Sequence, residues 1–565
     1  MGADSPKGID HERLDDLRRG HGPIAEHVID EFVGGRVNRR DFIRNGAVAG
    51  LAFTSLATIL SACGSDSTLS TPGAAGKAGA SITAGVIAPT HVPNPLLVED
   101  LGGIAMLNQV GEALVFYDNA NQPHPWLATS WKPNADATVW TFKLRQGVKF
   151  NDGTPMTADD VVYSYQEQCD PKNSGTALSL FAGLLVPSGV VKVDDQTVAF
   201  HLLEAYGAFP AAVSSSNFNA IVVPKGTDFA KWSSTFVGTG PFVMKSYDQT
   251  TGASFTKSPH YWGKVLPAAL AITFYPEEQP MVAALQAGSL DCISQFTVSN
   301  SPQLLTGDYN LIVAKGTANR QLSMRTDIPP FNNKYARQAV ALTLDRSAIV
   351  SALFQGRAEI GNDNPFAPAF PMTDKSIPQR EEDLTQAKEL LAKAGSPHGF
   401  SAPLYTEQLQ EMPQFAQIVK ASAAKIGIDI TLNVTTIAGY YGDGVFGKSN
   451  WLDGEMSLVD FGARPVPNVF LQAPLQTTDA KAGQGAWNAA HFNNPTYDEL
   501  SKEYLAAVDL STQRKLATQI QTLLLDETPI IYPYFYDHLS ASQPNVHGVE
   551  AQASQNLYLN LVTKS

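Results

Sequence analysis

Residues 412–434, MPQFAQIVKASAAKIGIDITLNV, decide the fold class. A helix over 412–426 is stopped by Gly427, placed where a left-handed C-terminal cap is wanted. Ile428, Ile430, Leu432 and Val434 then alternate with polar residues, the period-two pattern of a strand with one buried face. The same grammar recurs upstream, where 281–287 closes at Gly288 and 384–394 at Gly395. Helices alternating with strands imply sheets flanked by helices, so the predicted class is α/β lobes.

The first half is richer in hairpins. Trp140, Phe142 and Leu144 share one side of a strand, with Val139, Thr141 and Lys143 on the other, and Asp152-Gly153 marks a turn. Thr157 with Asp160 has the form of a capping box opening a helix that turns Val161, Val162 and Tyr165 inward. Further hairpins are predicted over 190–202, turning at Asp194-Asp195-Gln196, and over 242–256, turning near Gly252. No internal repeat stands out at 20 to 50 residues.

Residues 38–64, NRRDFIRNGAVAGLAFTSLATILSACG, set the compartment. Arg39 and Arg40 precede Asp41-Phe42-Ile43, and an uncharged run then reaches Leu60-Ser61-Ala62-Cys63. The order resembles a twin-arginine export signal followed by a lipobox, whose cysteine is acylated and becomes the new N-terminus. The run is only mildly hydrophobic and, at about 18 residues, marginal for crossing a bilayer. Residues 1–62 therefore read as signal and 63–80 as a flexible tether rich in Gly, Ser and Ala. The mature protein is expected outside the cytoplasm, in the periplasm or on the outer cell surface, held to a bacterial membrane by lipid on Cys63.

The 565 residues carry 40 Lys+Arg against 54 Asp+Glu, a net charge of −14. That sign argues against nucleic acid, which needs a basic face. The length is too great for one ordinary core and predicts several lobes. Cys169 and Cys292 form no metal or redox motif, and either a disulfide or two buried thiols fits their spacing.

Four stretches, FKLRQGVKFNDGTPMTADDVVYSY (142–165), GTGPFVMKSYDQTTGASFTKSPHYW (238–262), LQAGSLD (285–291) and FNNKYARQAVALTLDRSAIVSALFQGRA (331–358), together resemble the family 5 extracellular solute-binding proteins. That is the oligopeptide- and dipeptide-binding group serving ABC importers. Residues 492–535 are similar to its C-terminal segment. The resemblance implies a type II periplasmic-binding-protein fold, two α/β lobes with a cleft and an extra domain inserted in the first. The implied division is 81–115 for the first lobe, 116–232 for the insert, 233–318 for the first lobe again, 319–534 for the second lobe, and 535–565 for a return to the first. It also implies capture of a small solute, peptide or peptide-like, by lobe closure. The expected partners are a permease with its ATPase, the twin-arginine translocase during export, and the membrane through lipid. A monomer is expected, with no cofactor and no metal. Nickel complexes, sugars and opine-like compounds remain alternative ligands, and a surface sensor an alternative role.

Most motif residues read as scaffold. Gly238, Gly240 and Pro241 shape a turn into a strand, and Arg337 and Arg346 are expected to meet carboxylates between helices. For the ligand the informative region is 439–475. Peptide binders of the family hold the ligand's ammonium with an aspartate just ahead of a proline, but aligned on Pro467 that position falls on Ala463 or Val466. Asp460 replaces it only by a shift in register. Arg464 offers a planar cation suited to a carboxylate, or else pairs with Asp460. Tyr440, Tyr441, Phe461 and Trp487 supply aromatic surface to a cleft or to the core. An exported hydrolase is disfavoured, since no Gly-x-Ser-x-Gly, His-Glu-x-x-His, paired Cys-x-x-Cys or Walker loop is present. His491 and His538 read as satisfied or surface residues.

Overall fold

The computed structural model describes residues 79–442, 444–478 and 485–565. Arg39, Arg40, Cys63 and nearly all of the 63–80 tether lie outside the described residues. Three sheets organise the described chain. The first has seven strands in the order Asn310–Ala314, His538–Ser542, Cys292–Phe296, Ser81–Ile87, Ala269–Tyr275, Gly252–Lys257, Phe242–Asp248. Ser81–Ile87 runs parallel to both of its neighbours, and the other pairs are antiparallel. The second, also of seven strands, follows Ala358–Ile360, Tyr534–Tyr536, Asn319–Met324, Met456–Phe461, Ser401–Glu407, Asp429–Thr435, with Ile530–Ile531 paired to Asn319–Met324. The third is an antiparallel sheet of four strands over Ala128–Pro133, Val139–Leu144, Thr197–His201 and Val190–Asp194.

Local chemistry explains the elements. Asp160 accepts from both the backbone N–H and the hydroxyl of Thr157 at 2.7 Å, so the predicted capping box opens the helix Ala158–Cys169. Gly288, Gly395 and Gly427 sit at φ of +74°, +85° and +87°, ending their helices as read from sequence. Asp429–Thr435 is the outermost strand of its sheet, so its alternation fades. Ile430 is buried and Leu432 partly so, whereas Val434 is 42% exposed.

Each sheet has its own apolar core. Two domain boundaries need correction. Between Ala220 and Val223 the side chains alternate, Ala220 and Val222 entering the core of the four-stranded sheet while Ile221, Val223 and then Trp232 enter that of the first. The insert, by packing, therefore ends before 232. At the other end Tyr536 still pairs with Ala358 in the second sheet, and the return to the first begins at His538 instead of 535.

Cys169 and Cys292 are free and buried, in the insert and the first sheet respectively. Arg346 meets Asp363 through two hydrogen bonds of 2.8 Å, as expected. Arg337 also meets a carboxylate between helices, Glu527 at 3.4 Å, while giving most of its hydrogen bonds to the carbonyls of Phe331, Glu527 and Thr528.

Candidate functional site

The chain crosses between the two large sheets at 314–319 and at 536–538. These crossings are tied together. Lys315 bridges Asp537 at 3.0 Å and Glu359 at 2.6 Å, and a Cβ on Gly316 would run into the Tyr536 carbonyl oxygen, so the two strands touch backbone to backbone. Beside them lies a cavity of about 270 Å³. Gln295, Phe296, Thr297, Val298 and Ser299 of the first lobe form one wall, and Arg357, Gln410, Glu411, Asp460 and Tyr536 of the second form the other.

The second wall is built on Arg320, a fully buried residue of the strand Asn319–Met324. Its Nε donates to Glu411 Oε1 at 2.8 Å and its Nη2 to Glu411 Oε2 at 3.1 Å and Gln410 Oε1 at 2.8 Å. Its Nη1 donates to Asp460 Oδ1 and, at 3.0 Å, to the Tyr536 hydroxyl oxygen, and the guanidinium lies 4.4 Å over the Tyr536 ring. Burial alone would lower its pKa, but Asp460, Tyr536 and Glu411 outweigh it and the net direction is upward. Asp460 keeps 27% of its side chain exposed where Arg320 has none. Its Oδ1 is taken by Arg320 and Tyr536, and no described residue engages Oδ2.

Negative charge exceeds positive here. Asp460, Glu411 and Asp537 line the cavity against Arg357, with Glu407 just behind. Burial raises the Glu407 carboxyl above its ordinary value, and Asp460 adds to the effect. Burial also raises Asp537 against the opposing pull of Lys315. His538, hydrogen-bonded at 3.2 Å to the Ser294 carbonyl, is pushed down to about 4 by burial and is neutral at pH 7. Tallying Arg320, Arg357, Lys315 and Arg464 against Asp460, Glu411, Glu407, Asp537 and Glu359 leaves a small excess of negative charge.

The six residues singled out in the sequence are dispersed. Asp460 lines the cavity. Arg464 lines an adjoining recess of about 10 Å³, room for one water, and donates from Nη1 to the Ala463 carbonyl at 2.9 Å. No ion pair joins it to Asp460; burial lowers the Arg464 pKa, with the nearby Asp460 charge opposing the shift. Tyr440 is buried with its hydroxyl on the Leu458 carbonyl, Tyr441 donates to Glu407 at 2.7 Å, and Phe461 packs on Phe470 and Trp487. These four aromatics belong to or pack against the core behind the second wall. Arg320, Glu411, Arg357 and Gln295 were not singled out from the sequence, and no local motif marks them.

A cleft between two α/β lobes, a third sheet inserted in the first and a small charged cavity at the crossing strands describe a binding protein. The family model for bacterial extracellular solute-binding proteins, family 5, matches residues 122–482. The chain belongs to this family. It is 28% identical to heme-binding protein A of Haemophilus influenzae over 79% of this chain and 85% of that protein, and 26% identical to the dipeptide-binding protein DppE of Bacillus subtilis over 78% and 84%. Among solved structures, HbpA2 of Haemophilus parasuis superposes with a TM-score of 0.74 at 25% identity, covering 86% of this chain and all of that one. The murein tripeptide-binding protein MppA in its unliganded open form gives 0.73 at 21% over 87% and 99%, a likeness of fold. The protein is thus the solute-binding component of an ABC importer. No described helix is long and apolar enough to cross a membrane.

Proposed function

We propose that the protein captures a small solute bearing a cationic group, a short peptide with a free ammonium being the simplest, between the two large sheets and hands it to its permease. The observation that carries this is the unengaged Oδ2 of Asp460, on a carboxylate that lines the cavity and whose other oxygen Arg320 and Tyr536 hold fixed. Ala463, one of the two positions (with Val466) onto which the resemblance puts the peptide binders' acid, lines the same cavity, and Asp460 supplies a charge three residues earlier. The cavity of about 270 Å³ falls just below the range for ligand sites, about 300–1,000 Å³. That favours a solute of dipeptide size over a bulky macrocycle. Relatives named for dipeptide, glutathione and heme binding bracket the choice.

The mechanism is capture without bond chemistry. The lobes rotate at 314–319 and 536–538, enclosing the solute in a water-poor space where the Asp460 charge acts strongly. Arg39 and Arg40 are proposed to direct export, and Cys63 to carry the lipid that keeps the protein beside its permease. The test is a thermal-shift panel on residues 63–565 with Ala-Ala, N-acetyl-Ala-Ala, glutathione and hemin. A ligand at 100 times its dissociation constant adds about 2.7 kcal/mol, a degree or more in melting temperature. The reading expects stabilisation by ligands with a free ammonium and none by N-acetyl-Ala-Ala. Stabilisation by hemin alone, or equal stabilisation by both dipeptides, would sink it.

A further inference from the structure

The insert contributes no residue to the 270 Å³ cavity, yet it grips the loop that does. From Gly462 and Ala463 at the cavity, the chain continues through Arg464 and Pro465 at the recess to Val466 and Asn468, which meet the insert. Val466 packs on the insert's apolar core, and Leu505, from the second-lobe helix Pro495–Ala506, is a 5% exposed member of that core. The Gly207 N–H donates to the Leu505 carbonyl at 2.7 Å, and a Cβ on Gly207 would strike the Ala507 carbonyl, so only glycine permits the approach. Tyr206 is itself a buried member of the core that Val466 packs against, and the Asn468 side chain lies near its hydroxyl.

The gripping finger is itself rigid. Tyr206 donates its N–H to Ala137 O at 3.1 Å and accepts the Trp140 indole N–H at 3.0 Å, and the Leu202 N–H reaches Thr138 O at 2.7 Å. The loop is also anchored at Thr317 of the first crossing, whose hydroxyl donates to Arg464 O at 2.6 Å and accepts from Arg464 N–H at 2.9 Å.

We propose that the Tyr206–Gly207 finger braces the loop 462–468, so that the insert sets the geometry of the cavity from outside it. The first crossing fixes the loop at Arg464, and the insert's core holds it at Val466. Tyr206 and Leu505 are positioning residues that need never touch the solute. The inference rests on the cavity being the binding site, but its test needs no ligand, so its failure leaves that reading untouched.

Hydrogen exchange read by mass spectrometry on residues 63–565 decides it, comparing wild type with Leu505→Ala, Leu505→Met and Tyr206→Phe. The peptide spanning 460–472 contains the protected amides of Arg464 and Leu471. Leu505→Ala should speed their exchange about tenfold or more, the factor that ~1.4 kcal/mol of lost local stability gives, while the four-stranded sheet keeps its rate. Tyr206→Phe should act on the same peptide more weakly, and Leu505→Met should restore protection. Should Leu505→Ala fail to fold, Val466→Ala, which removes the loop's own contact with the insert's core, decides between the outcomes. Unchanged exchange at 460–472 in a folded variant, or a rise spread evenly over the second lobe, overturns the brace.

Discussion

Asp460 and Arg464 stand four residues apart, and the buried Arg320 separates their fates. Asp460→Asn should weaken binding of an ammonium ligand by about 10- to 150-fold, the loss of one charge-assisted hydrogen bond of 1.5–3 kcal/mol. Arg464→Ala should leave that affinity within about threefold, since its guanidinium turns back onto its own loop carbonyl. Calorimetric titration separates the two, and a larger loss for Arg464→Ala would return the anion-anchor idea to favour. Arg320→Leu leaves Glu411 and Asp460 without their counter-charge and should destabilise the fold by about 3–5 kcal/mol in a denaturant melt. Sequence could locate Asp460 because it sits in a stretch with a family pattern. It could not locate Arg320, whose partners lie 91 and 140 residues away and whose strand, NRQLSM, reads as polar surface.

Glu112 supplies a separate test at the same scale. It is fully buried, accepts from the Tyr261 hydroxyl at 2.9 Å and the Trp262 indole at 3.0 Å, and burial pushes it up from 4.5 to about 7. The folded protein keeps this proton where the unfolded chain has lost it. Its contribution is therefore complete below about pH 4.5 and falls away as pH rises to about 7, by roughly 3 kcal/mol. Glu112→Gln should flatten that slope and be more stable than wild type above pH 7. Parallel urea melts from pH 5 to 8 check this, and an unchanged slope would mean the carboxyl titrates normally.

At the scale of elements, periodicity and caps were legible because they are local. The hairpins, the capping box at Thr157 and the glycine stops follow from spacing alone. Where the chain changes sheet was not legible. At 220–223 alternate side chains serve two cores, and at 534–538 one continuous stretch serves two sheets, so composition carries no break at either point. Nor do aromatic residues advertise which surface they meet, and Tyr440, Tyr441, Phe461 and Trp487 went to or against the core behind the wall. The crossing strands give the element-scale prediction. Gly316→Ala forces a methyl against the Tyr536 carbonyl and should cost about 1–3 kcal/mol in stability, read by denaturant melts. A neutral result would show that the crossings are looser than their backbone contact implies.

For the whole molecule, location and capture are separable. Arg39→Lys with Arg40→Lys should hold precursor in the cytoplasm, whereas Cys63→Ala should let the protein out without its lipid, as fractionation and acyl labelling would show. Lipid labelling that persists in Cys63→Ala contradicts the anchor. Capture as proposed depends on two lobes meeting around an acidic cavity whose second wall is organised by one buried arginine. The most direct measurement is isothermal titration of residues 63–565 with Ala-Ala and with N-acetyl-Ala-Ala, in wild type and in Asp460→Asn. The account predicts one site for Ala-Ala in wild type, loss of that binding on acetylation, and the 10- to 150-fold weakening in Asp460→Asn. Equal affinity for the two dipeptides, or undiminished affinity in Asp460→Asn, would contradict it.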